Sequence, residues 1–153
     1  MKDQNKEERI KVIISNRKAR FEYEILDKYE AGMVLVGTEV KSVRNGKISL
    51  QESYATINKK GEVVLEGCTI QHYTHGNINN HEPTRPRVLL LHKKEIFKIR
   101  QKILEKGLTF IPLRVYFKGN KLKIELGIAR GKKLFDKRET IKYKNISKIN
   151  KKK

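Results

Sequence analysis

The longest coherent pattern lies in the carboxyl-terminal third of the chain. Ile111, Leu113, Val115 and Phe117 alternate with polar positions, Gly119-Asn120 interrupts, and Leu122, Ile124, Leu126 and Ile128 alternate in turn. Period-two apolar spacing on both sides of a Gly-Asn pair predicts two long strands joined by a tight hairpin. Gly61 separates Tyr54 to Ile57 from Val63 to Leu65 in the same way and predicts a second hairpin. Upstream, Phe21, Tyr23 and Ile25 alternate with Arg20, Glu22 and Glu24, and the run from Met33 to Val43 passes from apolar to mixed character through Gly37. Both read as half-buried strands.

The period changes after Lys94, where Ile96, Ile99, Ile103 and Leu104 recur at helical spacing and Gly107 stands where a carboxyl-terminal cap belongs. A shorter helix is admissible at Ser49 to Ser53, with Ser49 as cap and Glu52 at the third position of a capping box. Gly67 to Arg87 is poor in apolar residues, holds two prolines and reads as a long connection. There is no internal repeat. Runs of strands with one or two helices and no βαβ alternation predict a mainly β fold with flanking helices, a small antiparallel barrel or sandwich. The oligonucleotide-binding (OB-like) barrel is the natural candidate.

Charge narrows the partner. The 153 residues suit one domain, and 36 basic against 17 acidic side chains leave +19, which is at home only opposite a polyanion or an anionic surface. Nucleic acid is the expected partner. Residues 130–153 carry 11 basic and 2 acidic residues with few large apolar ones, which predicts a basic tail, disordered until it meets a partner. Residues 1–10 read as a second flexible arm, leaving 11–129 as the body. One cysteine excludes an internal bridge, and no stretch approaches the ~20 apolar residues of a membrane span. Met1 to Lys11 lacks the apolar core of a signal peptide. A cytoplasmic monomer without cofactors is expected.

The polar face of the long hairpin collects Arg114, Tyr116, Lys118, Lys121 and Lys123, cations for phosphates with a ring among them for a base. Lysines that block edge pairing would look the same. Asn16, Arg17, Lys18 and Arg20 form a second cluster: arginine forks suit phosphate, and an asparagine amide can meet a base edge or ribose. A charged lead-in to a strand is the plainer reading. Glu30 could accept from a base amino or imino group, or simply join a surface ion pair. In Glu82-Pro83-Thr84-Arg85-Pro86-Arg87 the prolines either present Arg85 and Arg87 rigidly to RNA or deliver the chain into a buried strand, and composition does not decide.

Catalysis and metal binding find little support. Cys68, His72, His75 and His81 lack paired zinc-ligand spacing, and nucleophile-elbow, phosphate-loop and metalloprotease motifs are absent. Glu39, Glu52 and Asp136 as nuclease ligands are isolated among lysines, so charge balance is the simpler account. No metal site and no enzyme activity are expected.

Five strings, in order, resemble a known family: Asn16-Arg17-Lys18-Ala19-Arg20-Phe21-Glu22-Tyr23; Glu30-Ala31-Gly32; Gly37-Thr38-Glu39-Val40-Lys41-Ser42-Val43-Arg44; Pro83-Thr84-Arg85-Pro86-Arg87 through Leu91-His92-Lys93; and Gly131-Lys132-Lys133 with Asp136-Lys137-Arg138. They are similar to SmpB, the bacterial SsrA-binding proteins, from about Asn16 to about Lys142. The resemblance implies a six-stranded antiparallel OB-like barrel with flanking helices and a role in trans-translation. It implies binding to the tRNA-like domain of transfer-messenger RNA (tmRNA, SsrA RNA) and delivery of the alanine-charged RNA, with elongation factor Tu, to stalled ribosomes. The body would mimic the missing part of a tRNA. By position, Asn16, Arg20, Glu30, Leu91 and Lys123 correspond to the RNA-binding surface. Gly131, Lys132, Lys133, Asp136, Lys137, Arg138 and Ile141 correspond to the tail that probes the small-subunit decoding centre and the empty mRNA channel, helical on the ribosome. Beyond Tyr143 no residue is matched individually. The rival reading is a generic single-stranded RNA-binding or ribosome-associated OB-fold protein.

Overall fold

A computed structural model describes residues 9–75, 80–105 and 108–132. The elements run β1 (Ile10–Ser15), α1 (Arg17–Glu22), β2 (Tyr23–Met33), α2 (Gly37–Arg44), β3 (Ile48–Ser49), β4 (Tyr54–Ile57), β5 (Val63–Glu66), β6 (Thr69–Ile70), β7 (Arg87–Leu90), α3 (Lys93–Ile103), β8 (Leu108–Lys118) and β9 (Lys121–Gly131). Seven strands form one antiparallel sheet in the order β1-β8-β9-β2-β7-β5-β4, and β3 pairs with β6 in a separate ribbon. The sheet curls so that β4 packs near β8 and α3 lies against β8 and β9. The architecture is the expected barrel-like β fold with flanking helices, carrying one more strand in its main sheet than the expected six. Its core gathers Leu65, Leu89, Ile99, Val115, Ile124, Leu126 and Ile128.

Both predicted hairpins form, with Asn58 side-chain bonds to Lys60 N and Glu62 N bracing the β4–β5 turn. The helix predicted after Lys94 is α3, held at its start by Glu95 accepting from His92 N (3.0 Å); Gly107 lies outside the described residues. Three local readings change. Phe21 belongs to α1, because Asn16 Oδ1 caps that helix by accepting from Ala19 N (3.2 Å), and the strand begins only at Tyr23. The run from Met33 to Val43 is not a strand: β2 ends at Met33, and Glu39 reaches back to accept from Val36 N (3.0 Å), starting α2. Val43 then faces the core at helical spacing from Val40. At Ser49 to Ser53 there is strand β3 and then a turn in which Glu52 adopts φ 63°, outside any right-handed helix. Gly67 closes on that turn at φ +76°, and a Cβ there would lie 2.7 Å from Glu52 O, which only glycine avoids.

Two bulges decide which side chains face where. In β8 the register shifts between Pro112 and Arg114, and in β2 between Ile25 and Asp27. Ile111 and Leu113 therefore do not share a face with Val115 and Phe117, as unbroken alternation predicts. They join Ala19, Ala129, Tyr23 and Ile25 in a second cluster, while Val115 and Phe117 enter the main core. Helix α1 thus covers one half of the outer sheet face, and beyond the bulges that face turns polar.

Candidate nucleic-acid interface

The polar half of the face is built from β8, β9 and β2. Cross-strand register puts Tyr116 beside Lys123, Lys118 beside Lys121, and Arg114 beside Glu125, with Glu30 and Gly32 of β2 opposite Glu125 and Lys123. Directly paired residues point to one side of a sheet, so these side chains share one surface. Glu125 escaped the sequence reading. The signal was its place two residues after Lys123 on the same strand face.

The two glutamates organise the cations. Glu30 Oε2 accepts from the Tyr116 hydroxyl, and its Oε1 lies 3.5 Å from Lys118 Nζ. Glu125 Oε1 accepts from Arg114 Nε at 3.3 Å and lies 3.9 Å from Arg20 Nη2. The Arg114 guanidinium in turn stacks on the Tyr116 ring, 4.9 Å from its centroid. The Tyr116 hydrogen bond, helped by Lys118 and Lys123 against the cost of burial, holds the Glu30 carboxyl below its ordinary range. Burial first, and then donation to Glu30, pushes the Tyr116 phenol upward. Glu30 is accordingly an anion and Tyr116 a neutral donor at neutral pH.

Tyr116 is only 2% exposed, and this corrects its expected role. With Arg114 over its ring and its hydroxyl on Glu30, it offers no open plane for a base. Arg17, Lys18 and Arg20 are exposed on α1, and Lys18 lies 3.9 Å from Glu52. Asn16 is the cap of that helix, and its amide donates to Pro112 O at 3.0 Å, so its polar atoms serve the fold. Leu91 is half-buried against the core.

Arg87 meets Glu39 rather than solvent, and Arg85, partly exposed, reaches the same carboxylate. Arg87 has no solvent exposure: it donates from Nε to Glu39 Oε2 (2.9 Å), from Nη1 to Cys68 O and Arg85 O (2.9 Å each), and from Nη2 to Pro83 O (2.9 Å). Arg85 adds a two-pronged bond to Glu39, 3.0 Å from Nε and 2.6 Å from Nη2. The expectation that Arg87 faces RNA therefore gives way to a buried ion pair whose donors are spent inside the protein, and Arg85 is largely committed to the same carboxylate. Burial alone would raise the Glu39 carboxyl, but bonds from Arg85, Val36 N and Arg87 hold it below its ordinary 4.5.

Among the described residues no cluster of three His, Cys, Asp or Glu side chains could hold a metal ion. His81 is buried between Thr38 Oγ1 (2.9 Å from Nδ1) and Ile70 O (2.8 Å from Nε2). Because a carbonyl can only accept, Nε2 donates a proton to Ile70 O. Burial pushes the Cys68 thiol up to about 11. No helix among the described residues is long and apolar enough to cross a membrane. Of the expected tail residues, Gly131 ends β9 and Lys132 N donates to Glu22 O (2.9 Å). Lys133, Asp136, Lys137, Arg138 and Ile141 lie outside the described residues.

The profile of the SmpB protein family matches residues 13–153. The chain belongs to the SmpB family. It is 63% identical over 133 residues to the SsrA-binding protein of Chlorobaculum tepidum, covering 86% of this chain and 84% of that one. It is 58% identical over 135 residues to that of Magnetococcus marinus, covering 88% and 89%. A solved structure described as "tmRNA-SmpB: a journey to the center of the bacterial ribosome" superposes with a TM-score of 0.66 at 48% identity, over 79% of this chain and 85% of that one. The five strings read from the sequence fall wholly within the SmpB match.

Proposed function

We propose that the protein binds the tRNA-like domain of tmRNA and delivers it to stalled ribosomes for trans-translation. The observation that carries the reading is the β8–β9–β2 face, in a chain of the SmpB family: Arg20, Arg114, Lys118 and Lys123 set around the side chains of Glu30 and Glu125 on a rigid sheet. Phosphate contacts supply affinity without sequence information, whereas fixed acceptors among the cations reject a bare phosphate string and favour RNA that offers hydrogen-bond donors in register. Arg17 and Lys18 of α1, and Leu91 beside β7, extend the surface.

Work divides along the chain in this proposal. Residues 11–129 recognise the RNA, and 130–153, including Lys132, Lys133, Asp136, Lys137, Arg138 and Ile141, act in the small-subunit decoding centre and mRNA channel. The protein works in the cytoplasm as a monomer that binds tmRNA, meeting elongation factor Tu only indirectly through the alanine-charged RNA, without catalysing a reaction. A competition assay at near-physiological salt tests the RNA reading, with the tRNA-like domain set against ordinary tRNA and unstructured RNA of similar length. A preference of ~100-fold, equivalent to about 2.7 kcal/mol, is expected. Near-equal affinities would assign the binding to +19 alone and favour a generic RNA binder.

A further inference from the structure

The outer face contains an apparent liability: Glu30 and Glu125 are direct cross-strand partners on β2 and β9. Like charges directly opposite destabilise a sheet, and two carboxylates repel the phosphates that this face should attract. Glu125 is neutralised by Arg114 and Arg20. Glu30 is handled differently. One oxygen accepts from a neutral hydroxyl, that of Tyr116, and the other faces Lys118 at 3.5 Å.

We infer that Tyr116 is a positioning residue for RNA recognition, its buried hydroxyl fixing the Glu30 carboxylate as an outward acceptor for an RNA amino, imino or ribose-hydroxyl donor. Three features support the role. The Tyr116 ring is 2% exposed and pinned beneath the Arg114 guanidinium, so its hydroxyl has a set direction. It contributes orientation without adding a charge that would quench the acceptor. The Glu30 side chain keeps about a third of its surface open, 37%, so a ligand can reach the lone pairs that Tyr116 and Lys118 leave free. A lysine or arginine in place of Tyr116 would neutralise Glu30 but turn the position into one more phosphate contact. The tyrosine instead preserves an acceptor within a cationic field, which is a device for selectivity.

This inference rests on the proposed RNA function, and a double-mutant cycle separates the two. Affinities of full-length wild type, Y116F, E30A and Y116F/E30A are measured for the tRNA-like domain of tmRNA and for unstructured RNA, each across a salt series. Phenylalanine keeps the ring under Arg114 and removes only the hydroxyl. Y116F is expected to weaken binding of the tRNA-like RNA by roughly five- to tenfold, the scale of one charge-assisted hydrogen bond. Unstructured RNA and the salt slope should change little, since no phosphate contact is lost. In the E30A background the hydroxyl should no longer matter. The inference is overturned if Y116F binds like wild type, if it weakens both RNAs equally, or if it weakens E30A by the same factor. A melting curve for Y116F, together with retained binding of unstructured RNA, reports that the sheet is intact. Equal wild-type affinities for the two RNAs would instead overturn the proposed function, while the Tyr116–Glu30 coupling is still read from the cycle with the tRNA-like RNA.

Discussion

Arg87 and Glu39 lie 48 residues apart in the chain and meet with neither side chain exposed, Nη2 2.8 Å from Oε2. The pair ties α2 to the start of β7. Because Arg87 also donates to the carbonyls of Cys68, Arg85 and Pro83, it organises the turns between β6 and β7 as well. Removing one partner strands a buried charge, so R87A should lose about 3–5 kcal/mol of stability by denaturant unfolding. The paired apolar exchange E39L/R87M should lose less than R87A, because Arg85 is one-third exposed and can turn to solvent. A double variant less stable than R87A would refute a cost set by uncompensated charge.

Lys123 stands between Tyr116 and Gly32 at the centre of the polar face. K123A should weaken binding to every RNA tested and lower the slope of log affinity against log salt by about 0.7–0.9, the signature of one lost phosphate contact. An unchanged slope would put Lys123 outside the interface.

Cys68 is 1% exposed, and its thiol is raised to about 11, so little thiolate exists at neutral pH. A disulfide reagent should label the native protein roughly 100-fold or more slowly than the urea-unfolded chain, so that labelling reports opening of the core. Equal rates would mean that the β5–β6 region opens readily.

Acid should destabilise the fold through its lowered carboxyls. The Lys102 hydrogen bond lowers Asp27, the Tyr116 hydrogen bond lowers Glu30, and Glu39 is lowered against the cost of its burial. A depressed native value means that the unfolded chain binds protons first. The stabilisation is therefore complete above the ordinary values of 3.8 and 4.5 and is lost as pH falls through the native ones. Melting temperature should be flat from about pH 7 to pH 5 and fall below that. E39Q should melt lower at neutral pH and show a shallower acid limb. An acid limb as steep as wild type would remove Glu39 from the effect.

A chain ending at Lys133 should retain its preference for the tRNA-like domain and lose tagging on stalled ribosomes, since most of the proposed ribosomal segment is removed while the face on β8, β9 and β2 is complete. Equal loss of both activities would refute the division of work between body and tail.

Local chemistry was legible in the chain wherever a signal repeats over short distances. The period-two runs around Gly119-Asn120, the 3.6 period of α3, the +19 charge and the family strings are all visible without a fold, because each is carried by neighbours in sequence. The α2 run was misread because Val40 and Val43 are β-branched and follow the apolar stretch from Met33 to Val36, and what decides for helix is the reach of Glu39 back to Val36. Tertiary structure alone settled the face and fate of single side chains. One extra residue at the Pro112–Arg114 bulge transfers Ile111 and Leu113 to the far side of the sheet, a shift that alternation cannot register. Arg85 and Arg87, which look like RNA contacts beside their prolines, are claimed by a glutamate in another element. Tyr116 becomes a buried donor because Arg114 and Glu30 converge on it from its own strand and from β2. A cation's role depends on whether an anion is brought within about 3 Å of it, and that proximity is a property of the folded chain.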